Sequence, residues 1–386
     1  MTSTKCLPTA TPVPVDQRFL TRLRSIALRG LARMYVPQQR MFCFCVRRTA
    51  AGDVPEGLSP RYTAITLLGL AQEPDATVRE ILSGDSTSAV YRRLLADVSQ
   101  VDNLGDVALT LWAGRALGAP ECGAAYERLC QLGPVERPHT TVELSWTLMA
   151  LTLSDALPGA AALRDATARR LLTAFEPRSG LFRHSVGGGR TLRGHAACFA
   201  DVVYPVQALT HTYRVTGDEA AWSAAAQCAA RSCELQGNAG QWWWHYDVRT
   251  GGVLEGYPVY AVHQDAMAPM ALFAVAEAGG TDYGSAIQRG LDWLAHSPEL
   301  GGRTLIDDAT GVVWRKVARR EPRKLTRTLQ AAASALHPAL RAPGTNVLFP
   351  PVAIDWESRP YHLGWILYAW SPARLATWLP AEGDNA

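Results

Sequence analysis

The chain is predicted to be all-α: paired helices in two concentric rings, an (α/α)6-type toroid, with a few short β-hairpins at the rim. Three observations predict it. Apolar residues recur with helical period over most of the 386 residues and are interrupted by Gly- and Pro-rich turns. The helices come in pairs of unlike character. One member is apolar on most sides, as in VELSWTLMALTL (142–153), VVYPVQALTHTY (202–213) and MAPMALFAVAEA (267–278). Its follower carries Arg, Asp and Glu on one face, as in AALRDATARRLLTAF, DEAAWSAAAQCAARSCELQ and YGSAIQRGLDWLAHS. A helix apolar all round must be buried, and an amphipathic one covers it from outside. The third observation is a repeat of a polar residue, three spacers, Gly, any residue and an apolar side chain. It reads Glu176…Gly180…Phe182, Gln236…Gly240…Trp242 and Asp307…Gly311…Val313, each after a covering helix. The pattern suggests a helix terminus at which Gly turns the chain and the apolar residue packs back.

Taken in order, helices are expected at 16–35, 60–72, 86–99, 103–117, 120–132, 139–153 and 159–174. Further helices are expected at 196–216, 218–235, 264–278, 282–296, 318–336 and 360–378. Strand-like pieces are 41–47, 181–186, 242–247 and 303–315, short and set between helices as hairpins would be. Pro205 and Pro269 fall near the beginnings of two buried helices, where the missing N–H is best tolerated. Nothing reads as an interdomain linker, so 16–380 is expected to be one domain between disordered tails at 1–15 and 381–386.

Composition narrows the function. Charged residues at 19% and hydrophobic ones at 48% are the balance of a soluble globular protein. A net charge of +3 creates no field that demands nucleic acid. No apolar run reaches the roughly 18 residues of a membrane span, and the N-terminus lacks the apolar core of a secretory signal. Eight cysteines are too sparse for a disulfide scaffold and point to a reducing, cytoplasmic setting. Cys43 and Cys45 in FCFC, and Cys228 and Cys233, read as small buried hydrophobes rather than zinc ligands. GGGR at 187–190 is a Gly-rich turn, and no phosphate loop, dinucleotide fingerprint or metalloprotease motif is present. No cofactor and no metal are expected.

The middle repeat, Gln236-x3-Gly240-x-Trp242, resembles the repeat of the terpenoid-cyclase and protein-prenyltransferase toroids, over a body spanning 55–380. The alternating helices resemble equally the six-hairpin glycosidases and the sugar epimerases and lyases on (α/α)6 barrels. The resemblance implies a toroid with its active site at one mouth. It does not carry the reaction across: where a cyclase of that kind has DxDD, this chain has Leu305-Ile-Asp307-Asp308. The Asp/Cys/His or Cys-Cys-His zinc sets of the related toroids are not evident in the sequence either.

The densest polar and aromatic stretch is 241–270, which joins a covering helix to the next buried one. Chemistry at a sugar ring needs a proton donor, an acceptor or nucleophile opposite, and flat apolar surface. From this stretch Asp265 or Glu255 is the candidate base or nucleophile, and His263 or His245 the candidate acid. Tyr257 and Tyr260 are candidates to orient groups or relay protons, Asp247 a further candidate catalytic residue, Trp243 and Trp244 candidate stacking surfaces, and Gln264 a binding residue. The alternative for the same stretch is a hairpin plugging the toroid end, with His245 and Asp247 at its corner. Polar residues recur at the starts of other buried helices: Arg61 and Tyr62, Glu143 and Trp146, Asp201 and Tyr204, Tyr361 and His362. A polar group inside an apolar ring is costly unless it is paired or faces a cavity, so the set predicts a central cavity. The basic run from Arg315 to Arg327 reads as a solvated covering helix. The favoured function is a cofactor-independent epimerase, lyase or hydrolase acting on a sugar or uronate-containing glycan. The alternatives are a terpenoid-cyclase-like enzyme using Asp307 and Asp308 as acid, and a non-catalytic toroid that binds a glycan or protein.

Overall fold

The computed structural model describes residues 16–188, 194–322, 325–337, 340 and 342–378. The tails expected at 1–15 and 381–386, and the end of the GGGR turn, lie outside these residues. In chain order the described helices are α1 (Gln17–Met34), α2 (Pro60–Leu70), α3 (Asp75–Ile81), α4 (Thr87–Ala96) and α5 (Leu104–Ala116). Next come α6 (Gly123–Gln131), α7 (Thr141–Thr152), α8 (Ala160–Leu172), α9 (Ala200–Thr216) and α10 (Glu219–Glu234). A π turn, His263–Met267, leads into α11 (Ala268–Glu277) and α12 (Gly284–Ala295). The chain continues with α13 (Leu325–Leu336), α14 (Thr345–Leu348), α15 (Pro360–Ala369) and α16 (Pro372–Trp378).

Burial divides these helices as the patterning predicts. Every residue of α2 from Thr63 to Leu70 is buried, and α5, α7, α9, α11 and α15 are buried on nearly all sides. By contrast α10 buries only Ala221, Ala224, Ala225, Cys228, Ala229 and Ser232, a single stripe at helical spacing. The six apolar helices touch in cyclic order: α2 on α5, α5 on α7, α7 on α9, α9 on α11, α11 on α15, and α15 back on α2. The amphipathic helices lie on them in turn: α1 against α15, α4 against α2 and α5, α6 against α5, α8 against α7, α10 against α9, and α12 against α11 and its π turn. At the α15–α2 seam the backbones come very close, because a Cβ on Gly69 would overlap the carbonyl oxygen of Gly364.

Side-chain caps fix where three of the buried helices, α2, α5 and α7, begin. Ser59, Asn103 and Thr140 accept from Tyr62, Asp106 and Glu143 N–H, and Glu143 returns a bond to the Thr140 backbone. The strands are two to five residues long and join in antiparallel twos and threes. Strand 196–198 pairs with 245–247, which pairs with 252–255; strand 316–318 lies between 259–260 and 353–355.

Several sequence expectations need correction. The repeat is not a set of helix ends. Glu176–Phe182 and Asp307–Val313 are tips of antiparallel hairpins, with Gly180 and Gly311 at φ 69° and 67°. In the middle copy Gln236 Nε2 bridges the carbonyls of Gly240 and Ala286, both at 2.9 Å. The helix expected at 318–336 starts only at Leu325, because 316–318 is drawn into a sheet. Consequently the basic run is not a solvated helix: Lys316 is on a strand and Arg319 is buried.

Candidate functional site at the helix first turns

The first turns of the six buried helices meet in a closed circuit of side-chain contacts. Arg61 on α2 forms an ion pair with Asp106 on α5, and Arg61 also donates to Asn103 Oδ1 at 3.1 Å. Asn103 Nδ2 donates to Glu143 Oε1 on α7 at 2.7 Å. Trp146, one turn further along α7, packs edge-on to Tyr204 of α9 at 5.2 Å. Phe199, before α9, lies 4.5 Å from the His263 ring on the π turn. Asp265 of the same turn accepts from His362 of α15 at 2.8 Å, and Tyr361 packs on Tyr62 of α2 at 4.7 Å, completing the circuit. The shared direction of these helices therefore brings residues from 61 to 362 to one end of the molecule.

Carboxylates, aromatic faces and buried donors converge there. Asp201 is fully buried in the first turn of α9 and accepts from the Cys198 backbone at 2.8 Å and from His184 Nδ1 at 2.9 Å. His184 is half exposed, so the pair connects a buried carboxylate to solvent. Trp244 stacks on Tyr260 at 4.5 Å and lies parallel to His263 at 5.8 Å. The Nε1 atoms of Trp146 and Trp244 and Nδ1 of His263 are buried and have no hydrogen-bond partner among the described residues. Such atoms are rare in folded proteins because each forfeits a hydrogen bond to water. Burial pushes the phenols of Tyr204 and Tyr361 up, so both stay O–H donors. It drives His263 down to about 3, leaving that ring neutral at neutral pH.

A cationic flank borders this end. Glu357 is shared by Arg47, Arg315 and Arg359, and Asp355 by Arg315 and Lys316. Arg315 and Lys316 sit 5.3 and 5.2 Å from the Tyr260 ring centre. Burial, then Arg315, lowers the Lys316 ammonium below its usual value. Between α2, α4 and α5 a cleft of about 330 Å³ is lined by Phe44, Arg61, Tyr62 and Asp106 among others.

The sequence candidates thus separate into two groups. Arg61, Tyr62, Glu143, Trp146, Asp201, Tyr204, Trp244, Tyr260, His263 and Tyr361 belong to the converging end. The rest are committed to partners within the packing, Asp265 and His362 to each other inside the circuit itself. Glu255, a candidate base or nucleophile, is buried in an ion pair with Arg319 at 2.8 Å. Asp247 is buried against Arg249 at 2.7 Å; burial raises its pKa, but the Arg249 hydrogen bonds outweigh this and hold it low. Tyr257 donates to Glu299 at 2.8 Å, with the edge of Trp243 against its ring. Gln264 Oε1 accepts from Trp242 N at 3.0 Å, and His245 is buried in the strand facing Cys198 and Glu255. Asp265 and His362 are both buried, and the carboxylate ties the π turn to α15. Burial raises Asp265 despite His362.

Sequence reading missed Asn103, Asp106, His184, Cys198, Arg315 and Arg359. Asn103 and Asp106 had a signal, an Asn cap three residues before an acid at the head of a buried helix. Among the described residues, the ligand-type atoms of His184, Cys198 and Asp201 lie within 4.8 Å of one another, the right types for a metal. Their hydrogen bonds to Asp201 already account for that geometry. Asp307 and Asp308, the acids of the cyclase alternative, are ion-paired to Arg48 and Arg22. Both are held below the usual carboxylate range, Asp307 because Arg48 outweighs burial and Asp308 chiefly by the Arg22 bond. Neither is suited to donate a proton.

In sequence the chain matches no family model and no curated protein. In structure it is similar to a glycosidase variant bound to glucose, with TM-score 0.55 and 16% identity over 95% of this chain and all of that one. It is also similar to the α-1,6-mannanase GH76A of Salegentibacter sp. HEL1_6, with TM-score 0.55 and 9% identity over 92% of this chain and 99% of that one. A variant of that mannanase in complex with α-1,6-mannotetrose gives TM-score 0.54 at 10% identity over the same shares. At these identities the likeness establishes the fold, a mostly helical body shared with glycosidases.

Proposed function

We propose that the chain is a carbohydrate-active enzyme built as a single-domain (α/α)6 toroid. Its glycan site is formed by the first turns of the inner helices, and hydrolysis is the favoured reaction. The observation that carries this reading is the set of buried donors without partners, Trp146 Nε1, Trp244 Nε1 and His263 Nδ1, on flat rings beside the carboxylates Asp106, Glu143 and Asp201. Flat apolar faces edged by donors suit a sugar, whose C–H faces pack on rings while its hydroxyls accept hydrogen bonds. Carboxylates on successive helices supply the acid and base that glycosidic cleavage needs. In this reading Asp201, steadied by His184 and the Cys198 backbone, is one of the pair and Glu143 the other. Asp106 with Arg61 positions Asn103 against Glu143. The glycosidase names borne by the similar structures support the substrate class.

The test is incubation of the purified chain with a panel of neutral and uronate-containing oligosaccharides, α-1,6-mannosides included, with products read by mass spectrometry. Cleavage is expected for one linkage class and is expected to be lost in Asp201→Asn and Glu143→Gln. No product from any glycan, with folded protein throughout, would contradict the proposal.

A further inference from the structure

Helix α13 places a cation where nothing acidic answers it. Arg327 precedes Gln330, Ala331 and Ser334, the buried stripe of that helix, by helical spacings and so shares their inward face. Its side chain is only partly exposed. Among the described residues its Nε is buried without a hydrogen-bond partner, and it forms no ion pair. Its charge reaches Tyr260. Burial above all raises that phenol, while Arg315, Arg359 and Arg327 pull it back down and Asp355 adds to the rise. Arg315 and Lys316 flank the same ring at 5.3 and 5.2 Å from its centre. Around Tyr260 the cations Arg315, Lys316, Arg327 and Arg359 thus meet only two carboxylates, Asp355 and Glu357. Arg47 also reaches Glu357 but brings its own partner, Glu56. Arg315 repeats the pattern of Arg327, because its Nε too is buried with no hydrogen-bond partner among the described residues. Buried guanidinium donors without acceptors, beside an excess of positive charge, are costly in a finished fold, and an incoming anion relieves both.

Tyr260 ties this cluster to the rings of the candidate site. It stacks on Trp244 at 4.5 Å, and its centre lies 5.0 Å from that of His263, whose Nδ1 is one of the unpartnered donors. On the other side Arg359 donates to the Tyr62 hydroxyl at 2.5 Å. We propose that the glycan taken at this end carries an anionic substituent, a uronate carboxylate or a sulfate ester, held by Arg315, Lys316, Arg327 and Arg359 beside Tyr260. This rests on the glycan reading above and narrows its substrate class. A neutral sugar leaves the excess charge unanswered, and that difference is the specificity the cluster supplies.

Calorimetric titration of the full chain with matched sugars tests this without requiring turnover. The probes are glucose, mannose and galactose, each alongside its uronate and its 6-sulfate. At least one anionic sugar is expected to bind about tenfold more tightly than its neutral parent, and added salt is expected to shrink the difference. The stronger arm distinguishes a carboxylate from a sulfate. Arg327→Gln breaks no ion pair among the described residues. It is expected to weaken the anionic sugar about tenfold and leave the neutral one unchanged, at an unaltered Tm. Lys316→Gln is expected to act in the same direction. Anionic sugars that bind no more tightly than their neutral parents, absence of binding by all of them included, would overturn the proposal. So would equal losses for both sugars in Arg327→Gln, which would mark a structural role. Tight uronate binding without cleavage of any glycan would support this inference while counting against hydrolysis; cleavage of neutral glycans with no anionic preference would sink this inference alone.

Discussion

At the scale of single residues, Asp201 shows how much a first-turn position settles. Its carboxylate satisfies one backbone N–H and a half-exposed imidazole while remaining fully buried. Asp201→Asn keeps the shape and removes the charge, so activity is expected to fall by on the order of 10²–10⁴ with the fold retained. Trp146→Phe keeps the ring face and removes only Nε1. A glycan that uses this donor is expected to bind about fivefold more weakly in calorimetry, since one hydrogen bond is worth about 1 kcal/mol. His263 makes a pH prediction. Its pKa falls from 6.5 in the open chain to about 3 in the fold, so it binds its proton more tightly when unfolded. The stability this gives is fully present above 6.5 and is lost as pH falls toward 3. Urea midpoints measured across that window are expected to fall less steeply for His263→Gln than for the parent, by up to about 1.4 kcal/mol per pH unit. Identical slopes would contradict the neutral buried ring.

At the scale of elements, backbone approach and buried charge hold the candidate site together. Gly240 has φ 96°, and a Cβ there would overlap the Arg289 carbonyl. Gly240→Ala is therefore expected to cost about 1–3 kcal/mol from backbone strain alone, before any clash, read as a fall in Tm. The buried Arg319–Glu255 pair braces the rim sheet. Arg319→Ala leaves a buried charge unpaired and is expected to cost about 3–5 kcal/mol in a denaturant melt. How legible each element was follows from its physics. The buried helices were readable because a sequence apolar on all sides has nowhere to go but inside, and the covering helices because one stripe of small and apolar residues repeats at 3.6. Strands such as 139–140, 259–260 and 357–358 were not readable, since two residues carry no period. The Gly repeat was visible but taken for helix ends, because a left-handed Gly serves hairpin tips and helix ends alike.

At the scale of the molecule, the separation of the candidate residues reflects what sequence clustering measures. The stretch 241–270 is dense in polar groups because it folds into hairpins that need internal partners, so Asp247, Glu255 and Asp265 each found one nearby in the fold. Apart from Trp244, Tyr260 and His263, which that stretch supplies, the groups at the converging end are sparse along the chain, one or two per helix, and only the cyclic order of the helices brings them together. Their positions could be read one by one from the starts of the buried helices. His184 and Cys198 could not, because their neighbourhood with Asp201 depends on how the segment before α9 folds back. The central claim is that this end, rather than the Trp243 hairpin, receives a sugar. The most direct test is a crystal structure of the Asp201→Asn variant soaked with an oligosaccharide that the parent cleaves. The account predicts a sugar ring against Trp146 and Tyr204, with hydroxyls on Trp146 Nε1 and His263 Nδ1. A sugar lodged on Trp243 with the first turns of the inner helices untouched would contradict it.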